Sequence, residues 1–137
     1  MIYITRREYF NAAHRLYRKE WTDEQNTAVF GKCANANWHG HNFVLFVTVK
    51  GHPSPETGFI IDLKVLSKII KEEVIEPLDH KNLNEDVPFL KDIMPSIENL
   101  AMVIWKRLEK RLQGQCLLHK VKLWETDNNY VEYFGEE

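Results

Sequence analysis

The sequence predicts an α+β fold, an antiparallel β-sheet with two helices packed on one face. Three observations point that way. Residues 39–50 alternate, with Phe43, Leu45, Val47 and Val49 on one face and Val44, Phe46, Thr48 and Lys50 on the other, the period-two pattern of a strand covered on one side. Residues 63–74 and 100–112 repeat their apolar side chains at helical spacing instead. Two more β-type runs close the chain. Strands of this kind with two amphipathic helices bury their apolar faces best as two layers.

The elements follow in order. Residues 2–13 read as a first strand, rich in Tyr, Ile, Thr and Phe. Residues 15–37 are polar and turn-rich, a loop long enough to suggest function. The alternating strand 39–50 follows, "GHPSPETG" turns the chain, and Phe59–Ile61 give a short extended piece. Asp62 can cap a helix carrying Leu63, Leu66, Ile69, Ile70 and Val74, and Pro77 is expected to end it. Ser96 can cap a second helix with Leu100, Val103, Ile104, Leu108 and Leu112 on one stripe and Gly114 beyond its end. Residues 117–125 and 130–134 then form a hairpin around Asp127, Asn128 and Asn129.

A length of 137 residues suits one domain spanning 1–137. The net charge of −2 provides no global basic field for nucleic acid or anionic lipid. Basic side chains do gather at Arg6, Arg7, Arg15, Arg18, Lys19 and Lys32, a solvated face or a place for a small anion. With no apolar run near 18 residues and no signal pattern in "MIYITRREYF", the expected location is the cytosol and no membrane is involved. Cys33 and Cys116 are too few and too far apart for a disulfide framework, so either thiol could be reactive.

The stretch "WHGHNFVLFVTVKG" puts His39 and His41 on the same edge of a strand, since side chains at i and i+2 point the same way. An isolated HxH is equally well explained by surface histidines. His14 closes the first β segment in "YFNAAHRL". If the first two strands form an antiparallel meander, His14 faces the other two. Three neutral imidazoles with no clear fourth protein ligand form an open tetrahedral site, as in catalytic zinc centres. Cys33, six residues before His39, either completes the coordination, which would make the site structural, or stands beside it as a base.

These residues carry a resemblance. "FNAAHRL", "GKC" followed after five residues by "HGHN", then "TGFIIDL", "EPLDHKNLNEDVPF", "IENLA" and "WETDNNYVEY" together resemble the 6-pyruvoyltetrahydropterin synthase family over nearly the whole chain. The resemblance implies a T-fold whose trimers close into a barrel, with two trimers stacked as a homohexamer and active sites at subunit interfaces. It implies Zn2+ held by His14, His39 and His41. Cys33, Asp79 and His80 become the proton-transfer group, and Glu125 the anchor of the pterin ring. Glu98, near a helix start, is a weaker pterin contact, equally explained by the helix dipole.

The longer step from Cys33 to His39, the long 15–37 loop and the "ETDNN" turn resemble the animal-type pyruvoyl synthase more than the 6-carboxytetrahydropterin synthase of the queuosine pathway. Two positions depart from the family pattern. Ile97 follows Ser96 where a second small hydroxyl residue is usual, and Trp38 precedes His39 where a smaller residue is expected.

The substrate implied is 7,8-dihydroneopterin triphosphate, a small molecule. Its conversion to a diketo tetrahydropterin moves protons from side-chain carbon and expels triphosphate, with no external reductant. A metal chelating the side-chain oxygens would acidify adjacent protons; Cys33 would take one, and His80 held by Asp79 would return one. A carboxylate such as Glu125 matches the paired N–H donors of the 2-amino-4-oxo edge. Arg15, Lys19 and Lys32 are triphosphate candidates by proximity, and His52, His119 and Cys116 are read as structural or surface residues. The rivals are the carboxy-forming reaction, which releases acetaldehyde, and a zinc-stabilised assembly module closed by Cys33.

Overall fold

The computed structural model describes residues 1–136. Strand β1 (Ile2–His14) is followed by helix α1 (Asp23–Phe30), a short 3-10 turn (Gly31–Ala34) and strand β2 (His39–Gly51). Helix α2 (Leu63–Ile70) runs through a wide π turn (Lys71–Ile75) into α3 (Glu76–Leu78). A two-residue strand β3 (Lys81–Asn82), helix α4 (Ile97–Leu112) and the hairpin β4 (Leu117–Thr126) and β5 (Asn129–Tyr133) complete the chain. The sheet order is β3-β1-β2-β4-β5, antiparallel throughout except for the β1–β3 pair, which is parallel.

The alternation read from the sequence is the alternation of burial. Phe10 and Ala12 of β1, Phe43, Leu45, Val47 and Val49 of β2, and Val121 and Leu123 of β4 all point to one face and are buried. The α2 and α4 stripes, including Leu66, Ile70, Leu100, Ile104 and Leu108, cover that face. Asp62 caps α2 by accepting from the Lys64 N–H, and Ser96 caps α4 by accepting from the Asn99 N–H. The opposite face of the sheet is uncovered, and Tyr3, Tyr9 and Tyr130 stand exposed on it. No helix among the described residues is long and apolar enough to cross a membrane.

Four local expectations need correction. The 15–37 segment contains α1, whose start is a reciprocal capping box: Thr22 accepts from the Gln25 N–H while the Gln25 side chain accepts from the Thr22 N–H. The buried Asn26 then ties the loop down through the backbone of Arg18. Phe59–Ile61 form no strand; they cross the end of β2, where Gly51 leaves room for Ile60. Pro77 does not end the helix. The π turn before it absorbs the ring, and the carbonyl of Glu73 accepts from Arg107 Nε at 2.8 Å, a bond that α4 supplies where Pro77 has no N–H to offer. The sheet also gains the parallel β3, set against Ala12 and Ala13.

Candidate metal centre and its surroundings

The meander brings the histidines together. In the β1–β2 register His14 lies opposite His39, and Ala12 lies opposite His41. All three side chains continue the core-facing rows past Phe10 and Phe43, so the cluster sits at the open end of the covered face. Ring centroids are 4.5 Å apart for His14 and His39, 5.1 Å for His14 and His41, and 4.9 Å for His39 and His41. One nitrogen from each imidazole lies within 4.8 Å of the others, so the cluster can hold a metal ion. Among the described residues no other group of three such side chains converges in this way. A Cβ at Gly40 would only touch the Ala12 carbonyl at 3.5 Å, so packing within the chain does not demand glycine there.

Burial sets the chemistry of the three rings. The His14 ring is almost fully buried, and its Nδ1 is 2.8 Å from the carbonyl oxygen of Pro95. That carbonyl can only accept, so Nδ1 carries the proton and Nε2 presents a bare lone pair. Among the described residues His14 Nε2 has no hydrogen-bond partner although it is buried. Desolvation is the main reason that His14, His39 and His41 all titrate below the ordinary histidine value of 6.5. Neutral imidazoles with a carbonyl behind one of them and an orphaned nitrogen in front are the donor set a borderline metal ion takes.

Glu125 continues the inward row of β4 after Val121 and Leu123 and reaches the same place. Its Oε2 is 3.8 Å from His14 Nε2 and 3.9 Å from His41 Nε2. Cys33 lies on the 3-10 turn, half-buried, outside the three-histidine group. Its carbonyl accepts from the Leu16 N–H at 2.8 Å, and Arg15 Nε donates to the next carbonyl, Ala34, at 2.9 Å. The turn is thereby fastened to the chain as it leaves His14. Arg15 and Lys32 line one cavity of about 400 Å³, whereas Lys19 lines another with Arg18, Glu20, Glu85 and Asp92.

Asp79 and His80 lie on the outer edge of β1, carried there by β3. Asp79 Oδ1 accepts from the Asn11 N–H at 2.8 Å, and the His80 N–H donates to the Asn11 carbonyl. The Asn11 bond, with His80 as a lesser cause, holds the Asp79 carboxyl below its usual range. His80 Nδ1 is 3.0 Å from Asp79 Oδ2, and the ring is 82% exposed, pointing outward from the sheet edge. Glu98 is exposed in the first turn of α4, three residues past Pro95. Trp38 and His80, each directly before a strand, both adopt left-handed backbone, with φ of 65° and 60°.

Two positioning residues were invisible in the sequence. Pro95 fixes the His14 tautomer from 81 positions away. Asn84 brackets the residue after His14, accepting from the Arg15 N–H and donating to the Arg15 carbonyl, both at 2.9 Å. No spacing rule links either to β1; only the polar "HKNLNEDVP" stretch marks the region as one whose side chains bind backbone.

Comparison with known proteins identifies the relatives of this chain. The family model described as 6-pyruvoyl tetrahydropterin synthase matches residues 3–136. A 6-pyruvoyl tetrahydrobiopterin synthase of Pongo abelii is 50% identical over 97% of this chain and 91% of its own length. The structure of Caenorhabditis elegans 6-pyruvoyl tetrahydropterin synthase superposes with a TM-score of 0.91 at 36% identity, over 98% of this chain and 96% of that one. A dihydroneopterin monophosphate aldolase of Pyrococcus furiosus is 33% identical over 94% of each chain. On sequence and fold together, the chain belongs to the 6-pyruvoyl tetrahydropterin synthase family.

Proposed function

We propose that this chain is a zinc-dependent lyase that converts 7,8-dihydroneopterin triphosphate to 6-pyruvoyl-tetrahydropterin and releases triphosphate. The observation that carries the proposal is the convergence of His14, His39 and His41, with the buried Nε2 of His14 unpartnered and its tautomer set by Pro95. A relative 50% identical to this chain bears the name 6-pyruvoyl tetrahydrobiopterin synthase, which supports the reading.

His14, His39 and His41 would hold a zinc ion at full charge, which would supply Lewis acidity that makes protons on the substrate side chain easier to remove. Cys33, fastened one turn from His14, accepts a proton from carbon. His80, oriented through Nδ1 by Asp79, delivers one. Glu125 meets the pterin ring, with Glu98 near the helix start as a second carboxylate. Arg15 and Lys32 receive the triphosphate, because their cavity holds two cations against the single carboxylate of Asp23, whereas the cavity of Lys19 is acid-rich. The reaction is an internal redox exchange: the side chain is oxidised as the ring is reduced, so no second cofactor is called for.

We also infer a homohexamer, a dimer of trimers working in the cytosol. Among the described residues, the outer edge of β1 from residue 2 to residue 11 has no partner strand, nor does the outer edge of β5. Open edges of this length invite pairing between copies. The outward-facing His80 then serves a site that a second copy completes.

Replacing Cys33 with Ala tests the reading. Retained zinc with lost turnover supports the enzyme. Loss of zinc and of the fold identifies a structural site closed by sulfur.

A further inference from the structure

We infer that the carboxylate of Glu125 is the fourth protein donor of the metal centre, closing the vertex that the three imidazoles leave when no substrate occupies it. The inference rests on the metal-binding reading above and changes the part that Glu125 plays in it.

The Pro95 carbonyl accepts from the Nδ1–H of His14, so the lone pair of His14 Nε2 points into the site. Glu125 Oε2 stands 3.8 Å from that nitrogen, and a carboxylate oxygen is also an acceptor. The distance is too long for a hydrogen bond and no donor lies between them. Two acceptors facing each other in a buried place repel unless a cation sits between them. The same oxygen is 3.9 Å from His41 Nε2, so it approaches along the His14–His41 edge of the cluster.

The spacing suits shared coordination. Ligand distances of about 2.0–2.2 Å for nitrogen and oxygen on zinc imply a tetrahedral ligand–ligand edge of about 3.4 Å. The observed 3.8 Å and 3.9 Å require those two pairs to close by about half an ångström, and the oxygen, which stands outside the converged three-histidine group, must also move toward His39. Glu125 lies two residues past the fully buried Leu123, at the irregularity between Trp124 and Thr126, and its side chain is 24% exposed. Oε2 makes both of these approaches, so Oε1 is the oxygen to accept from an incoming ring N–H.

A carboxylate donor has a consequence that a pterin anchor lacks: it raises metal affinity in the absence of any pterin. The test is zinc affinity by chelator competition, together with the visible spectrum of the Co2+-substituted protein, for the wild-type chain, Glu125→Gln and Glu125→Asp, all without pterin. The inference predicts at least a tenfold loss of zinc affinity in Glu125→Gln and an altered cobalt spectrum in both variants, with thermal unfolding of the metal-free proteins unchanged. Glu125→Asp keeps the negative charge but withdraws it by one methylene, so an altered spectrum there reports ligation rather than charge. Affinity within twofold and an identical spectrum in Glu125→Gln would overturn the inference while leaving the three-histidine centre intact. A wild-type chain that takes up no stoichiometric metal would overturn the centre itself, and the inference with it.

Discussion

Replacing Arg107 with Met tests how the helical layer carries Asp79 and His80 to the sheet edge. Pro77 lies two residues before Asp79 and has no N–H, and Arg107 of α4 donates to the Glu73 carbonyl at 2.8 Å. The same guanidinium pairs with the Glu73 carboxylate at 2.8 Å and lies 3.9 Å from the centroid of the Phe89 ring. Methionine keeps the apolar stem and removes all three interactions. A carbonyl left without a donor costs about 1–3 kcal/mol. The lost cation–π contact costs about 0.5–1 kcal/mol, and the half-exposed ion pair under about 1 kcal/mol. The sum is roughly 2–4 kcal/mol, or a fall in Tm of roughly 8–15 °C for a chain of this size. Urea denaturation measures the first figure and calorimetry the second. A double-mutant cycle with Pro77→Ala isolates the cause, because an N–H restored at position 77 gives the carbonyl region a new donor. The cycle should recover about 1 kcal/mol or more. Arg107→Met costing under about 0.5 kcal/mol, the scale of an ordinary surface change, or showing no coupling to position 77, would refute the reasoning.

Trp38→Gly should exceed Trp38→Val in stability by about 1–2 kcal/mol, because only the second keeps a Cβ in left-handed backbone; equal denaturation midpoints would contradict this. Metal-free protein should lose stability as pH falls. With His14, His39 and His41 depressed below 6.5 in the folded chain, the unfolded state binds more protons in the window below 6.5, so stability is complete above it and declines beneath it. Denaturant midpoints at pH 7.5 and pH 5.5 check the sign. Lys32→Ala should raise KM for the triphosphate substrate roughly tenfold, the loss of one charge-assisted contact, while Lys19→Ala leaves it nearly unchanged. Steady-state kinetics on both variants separates the two cavities.

Much of this was legible residue by residue. The meander, and with it the meeting of His14 with His39 and His41, followed from the alternation of residues 39–50 and the position of His14 at the end of a β segment. Both helix caps and the final hairpin were signalled by local chemistry. What escaped notice depends on distant partners. β3 is two residues long and forms where the backbone of Asn11 and Ala13 finds partners on the open side of β1. α1 has no apolar stripe, and its one sequence signal was the T-x-x-Q box at Thr22 and Gln25. Pro77 read as a stop because the arginine that compensates for it lies 30 residues further on. The approach of Glu125 to the histidines depends on the register of β4 against β2, which no single strand encodes.

The most direct measurement is incubation of the purified protein with 7,8-dihydroneopterin triphosphate, with and without a strong chelator, followed by mass identification of the products. The account predicts 6-pyruvoyl-tetrahydropterin and triphosphate in equal amounts, formation halted by the chelator and restored by zinc. Release of acetaldehyde with a 6-carboxy product, or turnover indifferent to the chelator, would contradict it.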